Sequence, residues 1–101
     1  MDITTEGVDQ EKYGILFKVD GSIVKVLPHK MVRGKGKFDW RLLEQMMNAQ
    51  SFDFIKTVNI MVVLDQDARL TGKPINPKGS HLCGQEVFGD VLLTHKKLMG
   101  M

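Results

Sequence analysis

A site for a soft metal ion could be formed in this 101-residue chain by His81, Cys83 and His95. Imidazole and thiolate are common zinc ligands. The spacing does not favour a site, because H-x-C with a distant histidine lacks the paired C-x-x-C or H-x-x-x-H arrangement. His81 and Cys83 also lie two positions apart, so on a helix they do not face each other as a base and nucleophile would. We expect neither a metal site nor a catalytic dyad.

Two acidic residues, Asp65 and Asp67, form a D-x-D pattern that can flank a cation. Aspartate also favours turn positions, and we expect turn chemistry here. The glycines before Lys37 do not form a phosphate-binding P-loop, because no strand leads into them and Phe38 occupies the place of the magnesium-binding hydroxyl. We therefore reject nucleotide hydrolysis and predict a protein that is not an enzyme and uses no cofactor.

The segment from His29 to Lys37 is basic and contains no acidic residue. It lacks helical or strand periodicity, which predicts a flexible loop. Its cations can hold phosphate or a nucleic-acid backbone, with Trp40 near enough in sequence to stack on a base. In the alternative interpretation the loop is only a solvated connection, and Trp40 belongs to the apolar face of a helix. The candidate ligand-binding residues of this segment are Lys30, Arg33, Lys35 and Lys37.

The second candidate surface is the segment 76–89. A long irregular segment in a small domain is often a binding element. The alternative is a folded cap with a short helix that covers one edge of a sheet. Its candidate ligand-binding residues are Asn76, Lys78, Ser80, His81 and Gln85.

Composition limits the classes of protein to consider. With 101 residues, 43% of them hydrophobic and 26% charged, the chain fits one domain, and a formal charge of +2 does not by itself indicate a nucleic-acid binder. One cysteine excludes an intrachain disulfide and suits a reducing compartment.

The longest apolar run, Ile60 to Leu64, is too short to span a bilayer, and the acidic N-terminus does not resemble a signal peptide. We expect a cytoplasmic protein, with a flexible tail at 1–12, a domain at 13–95 and a basic tail at 96–101.

The first half of the domain predicts a β-hairpin. Two β-rich runs, YGILFKV and SIVKVLP, flank the Asp-Gly dipeptide at 20–21, which suits a two-residue type I′ turn. This turn would place Phe17 opposite Val24 and Ile15 opposite Val26. The hairpin would then have one mainly apolar face.

A helix should follow the basic segment. Asp39 is a suitable N-cap, Phe38 can pack on Leu43 as a hydrophobic staple, and the helix should end near Gln50. Its apolar stripe recurs at spacings of three and four residues. The stripe consists of Trp40, Leu43, Met46 and Met47.

The second half predicts further strands and a brief helix. Residues 51–58 alternate in polarity, and the run IMVVL that follows should be buried on both faces at the centre of the sheet. A short strand is expected around 69–71, a helix from Asn76-Pro77 to Gly84, and a last strand over 91–94. Together these elements predict an α+β domain with a small, mostly antiparallel sheet, an N-terminal hairpin, one main helix packed on the sheet and a short second helix.

This order of elements resembles the domain of unknown function 3846, a family associated with phages, mobile elements and large DNA viruses. The resemblance covers about Tyr13 to His95 and implies a small α+β fold in a viral or mobile-element setting, with no established reaction. The residues that carry it are Asp20, Gly21, Leu42, Leu43, the run from Met61 to Asp65, Gly72, Pro74, Asn76, Pro77 and the run from Gly89 to Leu92.

The leading functional hypothesis is a noncatalytic viral or phage accessory protein acting inside the host cell. It would bind a host or viral macromolecule, or sequester a small anionic ligand, on a surface that combines the segments 29–37 and 76–89. One alternative is a nucleic-acid-binding protein that uses the segment 29–37. Another is a homodimeric structural or virion component held together by a free sheet edge. No membrane partner is expected.

Overall fold

A central antiparallel sheet with two short helices forms the architecture of the chain in a computed structural model, which confirms the predicted α+β class and the N-terminal hairpin. The structure describes residues 13–26, 29–30, 36–38 and 40–99, so the predicted tail at 1–12 and the predicted N-cap Asp39 lie outside the described residues. The elements are β1 (Gly14–Phe17), β2 (Ile23–Val26), β3 (His29–Lys30), β4 (Gly36–Lys37), α1 (Trp40–Met47), β5 (Phe52–Lys56), β6 (Ile60–Asp65), α2 (Pro77–Cys83), β7 (Val91–His95) and a 3-10 helix (Lys96–Met99).

Strand β7 lies at the centre of the sheet, whose strand order is β2-β1-β7-β6-β5. Every neighbouring pair is antiparallel. All five residues of β7 are buried. The predicted burial of the IMVVL run is confirmed for Met61, Val62 and Val63, but its predicted central position is wrong, because β6 lies beside the central strand.

Both faces of the sheet are covered. Helix α1 packs on one face, where its Leu43 and Met47 join Leu16 and Leu92 in a buried cluster with Phe38. Phe38 and Leu43, the predicted partners in the hydrophobic staple, therefore lie in the same buried cluster. On the other face a second cluster lies under α2 and is formed by Ile15, Phe17, Val62, Val87, Val91 and Leu93, with Cys83 of α2 packed against it.

The hairpin register differs from the predicted register by one residue. Leu16 pairs with Val24 and Phe17 with Ile23. Opposed residues of a hairpin share a face, so Val24 lies on the face of Leu16 and not on the face of Phe17. The predicted single apolar face is therefore also wrong. All four residues of β1 are buried between the two clusters.

The conformation of the turn explains this shift. A type I′ turn needs positive φ at both central residues, but in this hairpin Gly21 has φ +91° whereas Asp20 does not enter the left-handed region. The Gly21 N–H donates to Lys18 O (3.0 Å) and the Lys18 N–H to Ser22 O (2.9 Å), so the turn has three residues, 19–21, between the bonded pair Lys18 and Ser22, with a bulge at Gly21. Asp20 instead accepts hydrogen bonds from the Ser22 hydroxyl and N–H, which lower the pKa of its carboxyl.

Three other segments differ from expectation. The short strand predicted at 69–71 is wrong, because residues 66–72 form successive turns. The predicted basic loop contains a paired ribbon, since β3 and β4 are antiparallel, while its residues 31–35 lie outside the described part of the chain. The predicted C-terminal tail begins with the 3-10 helix, whose Leu98 is buried and accepts a hydrogen bond from the Phe38 N–H (2.7 Å).

The short second helix is confirmed at both ends. Asn76 caps the N-terminus of α2, Pro77 takes the first helical position, and Gly84 ends the helix in the left-handed conformation with φ +69°. Helix α1 ends at Met47 rather than near Gln50. No helix in the described ranges is long and apolar enough to cross a membrane.

Candidate binding cleft

A polar cleft of about 710 Å³ opens between the C-terminal end of α1 and the turns that follow β6. Its volume lies within the range of small-ligand sites. Most of its walls are hydrogen-bonding side chains. The lining residues are Glu44, Gln45, Asn48, Ala49, Gln50, Asp65, Asp67, Thr71 and Lys73.

The end of α1 forms one wall. Asn48 adopts a left-handed φ of +50°, and the Ala49 N–H donates back to Glu44 O (3.2 Å), which is the Schellman pattern for ending a helix. Two further carbonyls at this negative end of the helix, those of Met47 and Asn48, point toward the opposite wall.

Lys73 holds the two walls together. Its ammonium donates to Met47 O (3.1 Å) and Asn48 O (2.6 Å), and it forms an ion pair with Asp65 Oδ2. An ammonium group has three donors, so all of them are used. Only 4% of the Asp65 side chain is exposed, and its other oxygen accepts the Asp67 N–H (3.0 Å) in the turn.

The charges of the cleft favour a ligand that donates hydrogen bonds. Among the described residues that line the cleft, Glu44, Asp65 and Asp67 contribute carboxylates, and Lys73 contributes the one cation. Because all three N–H donors of the Lys73 ammonium are bonded within the protein, the cleft mainly presents acceptors and side-chain amides to a ligand. This arrangement suits an uncharged polar or cationic group better than an anion.

Replacing Lys73 with methionine should lower the free energy of unfolding by about 2–3 kcal/mol. The substitution Lys73→Met keeps most of the apolar stem but removes the ammonium, so two helix carbonyls lose a donor and the nearly buried Asp65 loses its cation. Urea unfolding followed by circular dichroism measures this change.

Lys78→Met is the matched control, since the Lys78 side chain is exposed and, among the described residues, its ammonium donates to the single acceptor Gly21 O (2.7 Å). Its effect should stay within about 0.5 kcal/mol. Adding Asp65→Asn to Lys73→Met should recover part of the loss, because the unpaired carboxylate is then gone. Equal losses for the two lysines would contradict the role given to Lys73.

Two of the binding residues predicted in the segment 76–89 serve the fold in this structure. Asn76 is fully buried, and its side chain bonds to Phe17, Gly79 and Gly89. The Ser80 hydroxyl accepts the Val87 N–H (2.8 Å) and donates to Val87 O (3.3 Å).

The other three predicted residues of that segment are exposed to solvent. Lys78 reaches the hairpin turn, and His81 lies on the outer side of α2. Gln85 lines a smaller hollow of about 220 Å³, beside which the Arg69 guanidinium lies 5.7 Å from the centre of the Phe88 ring.

The described residues of the basic segment form the β3–β4 ribbon. Lys30 pairs with Gly36 and Lys37 with His29 in the β3–β4 ribbon, while Arg33 and Lys35 lie outside the described residues. The ribbon follows the end of β2 and leads into Phe38 on the α1 face of the sheet. Lys78, by contrast, lies at the hairpin turn on the α2 face. In the described part of the chain, Phe38 and Lys78 therefore lie on opposite faces of the sheet.

The three soft-ligand candidates are also dispersed. His81 is exposed on α2, whereas His95 is buried on β7 and its Nδ1 accepts the Lys97 N–H (3.1 Å). Across the ranges that the structure describes, no three His, Cys, Asp or Glu residues group closely enough to hold a metal ion.

The thiol of Cys83 should react slowly with alkylating agents at neutral pH. Its partial burial against the second cluster raises its pKa, so less thiolate, the reactive form, is present than in an unfolded chain. Iodoacetamide labelling followed by mass spectrometry should give a lower rate for the folded protein than for the protein in urea. A folded rate above the unfolded one would contradict this.

Lys73 and the cleft were missed by sequence reasoning. The contacts of Lys73 with Met47 and Asn48 join residues 26 and 25 positions apart. No local pattern indicates such a contact. The D-x-D pattern at Asp65 and Asp67 predicted a turn and not a cleft, although both residues line one wall of the cleft.

No family model, no curated protein and no solved structure matches this chain. A function for the chain must therefore be argued from its own cleft and exposed side chains.

Proposed function

We propose that this chain is a noncatalytic accessory protein of a virus or phage that binds a host or viral protein inside the host cell. The observation that carries the binding role is the open polar cleft at the end of α1. The viral setting, and membership of the domain of unknown function 3846 family, rest on the sequence resemblance alone.

The cleft supports recognition of a protein segment. Its exposed side chains Glu44, Gln45, Asn48 and Gln50 supply acceptors and amides, while Lys73 fixes the position of both walls. A preformed wall reduces the entropy lost on binding. The complementary partner would present lysine, arginine or amide side chains, because carboxylates outnumber cations in the cleft.

Affinity capture with three forms of the full chain tests this proposal. The wild type is compared with Glu44→Ala/Gln45→Ala on the cleft wall and with Lys78→Ala/His81→Ala on α2; all four positions are exposed. We expect host proteins that the wild type and the α2 variant enrich equally and the cleft variant loses by at least about tenfold. Loss only in the α2 variant would move the site to the segment 76–89, and no reproducible enrichment would reject the binding role.

Nucleic-acid binding is a second candidate, and the β3–β4 ribbon favours it. Pairing of β3 with β4 places Lys30 and Lys37 on adjacent strands of one ribbon. A two-stranded ribbon can lie against a nucleic-acid backbone or groove. Binding of a small phosphate-bearing anion would use the same cations, namely Lys30, Arg33, Lys35 and Lys37.

Salt titration distinguishes this candidate from the first. If all four cations contact phosphates of duplex DNA, the logarithm of the binding constant should fall with the logarithm of salt concentration with a slope of about −3 to −4. Replacing the four cations with alanine should abolish binding, whereas Glu44→Ala/Gln45→Ala should leave it unchanged. Binding that is absent or independent of salt would reject the candidate.

A further inference from the structure

Apart from the cleft, the outer edge of β2 is a second candidate binding surface. Strand β2 is the terminal strand of the sheet and pairs only with β1 among the described residues. Its middle residues, Val24 and Lys25, are exposed, in contrast to the fully buried β1. Val24 is 41% exposed although it is apolar. An edge of this kind is a template for a further strand.

The register shows which backbone groups face outward. The Lys18 N–H donates to Ser22 O, so the hydrogen-bonded pairs further along the hairpin are Leu16 with Val24 and Gly14 with Val26. The N–H and C=O groups of the alternate residues, Ile23 and Lys25, therefore point away from β1.

We propose that this edge pairs with the same edge of a second copy, forming a two-fold symmetric dimer with a continuous sheet. In antiparallel pairing centred on Val24, Ile23 of each copy lies opposite Lys25 of the other and exchanges hydrogen bonds with it. About four backbone hydrogen bonds form in this register. The two Val24 side chains then meet at the two-fold axis, which covers the exposed apolar surface.

The position of the Lys25 charge is compatible with a second copy of the chain at this edge. A lysine on an edge strand ordinarily prevents edge-to-edge pairing. The Lys25 ammonium instead lies 4.9 Å from the centre of the Tyr13 ring of its own chain, so it leans over the sheet and away from the free edge. In the register centred on Val24 each lysine faces an isoleucine, whereas centring on Lys25 would oppose two like charges.

The dimer should be weak. Four-residue strands bury less than the roughly 1,000 Å² that a stable interface needs. Association should therefore depend on concentration. The inference does not rest on the proposed cleft, because β2 and the cleft involve different residues.

Sedimentation equilibrium of the full chain from about 10 µM to about 1 mM tests the dimer, since this range covers weak association. We expect the average mass to rise from the 11.4 kDa of the monomer toward twice that value. Val24→Lys places two ammonium groups at the axis and should weaken association by at least about tenfold. The matched control is Val58→Lys in the turn between β5 and β6, where Val58 is 87% exposed; it should leave association unchanged.

Amide hydrogen exchange provides a readout that needs no substitution. Protection of the Ile23 and Lys25 N–H groups should increase with protein concentration, while the Val24 N–H, which is bonded to β1, should be protected throughout. A monomer at every concentration, or a dimer that Val24→Lys does not weaken, would overturn the proposal. Protection of Ile23 and Lys25 that is independent of concentration would also overturn it, because the edge would then be covered within one chain.

Discussion

Replacing Asn76 with alanine should lower the free energy of unfolding by about 3–7 kcal/mol, which approaches the whole stability of a small domain. The Asn76 Oδ1 accepts the Gly79 N–H (2.9 Å) as the N-cap of α2, and Nδ2 donates to Phe17 O (2.8 Å) and Gly89 O (2.9 Å). The residue is fully buried, so water cannot replace these bonds. The loss combines about 1 kcal/mol for the cap with about 1–3 kcal/mol for each unpaired carbonyl.

A serine at the same position separates the two functions of Asn76. Asn76→Ser keeps an oxygen that can cap α2 but loses the donor to Phe17 and Gly89. We expect it to recover only about 1 kcal/mol relative to alanine, because the cap is the smaller part of the effect. This variant also keeps the prediction measurable if Asn76→Ala does not fold.

The matched control is Asn59→Ala, since Asn59 is exposed in the turn between β5 and β6. Its effect should stay within about 0.5 kcal/mol. Urea unfolding of all three variants provides the comparison. If Asn76→Ala cost no more than Asn59→Ala, the side chain of Asn76 would not connect α2 to the sheet as described.

Gly79→Ala should destabilise the protein by about 1–3 kcal/mol, although alanine is the better helix former. A Cβ atom at Gly79 would lie 2.7 Å from Val91 Cγ2 and 3.0 Å from Asn76 Cγ. Val91 belongs to the central strand and is fully buried, so relief requires α2 to move away from the sheet. That movement would also strain the Asn76 bonds.

Two further substitutions identify the overlap as the cause. His81→Ala, on the exposed side of the same helix, should be neutral or slightly stabilising. Val91→Ala removes the overlapping methyl group, so Gly79→Ala should cost less in the Val91→Ala background than in the wild type, by at least about 0.5 kcal/mol. Strictly additive losses would show that Gly79 is not required for close packing on β7.

The local elements were predictable where neighbouring residues determine them. The cap at Asn76, proline at the first helical position and Gly84 after the last one define α2 almost completely, and each acts within one helical turn. The apolar run from Ile60 to Leu64 likewise predicted a buried strand. The hairpin was predicted, but its register was not, because Asp-Gly is compatible both with a two-residue turn and with the three-residue turn that the chain adopts.

The candidate site shows the same division. The sequence indicated Asn76 as a polar residue in a long loop. It did not indicate that the Asn76 amide points into the core and bonds to Phe17. Lys73 gave no signal, since its partners at the end of α1 are distant in the chain. Both predicted binding segments are polar in composition, but composition does not indicate that Phe38, next to the basic segment, and α2 pack on opposite faces of the sheet.

The amino-acid sequence by itself determined the class of fold, the main strands and both helices, because hydrophobic periodicity, caps and turns act over a few residues. Tertiary structure alone decided the central position of β7, the Lys73 contacts that shape the cleft and the terminal position of β2 among the described strands. These features depend on which distant surfaces meet. They are stabilised by contacts between residues far apart in the chain, so no local pattern encodes them.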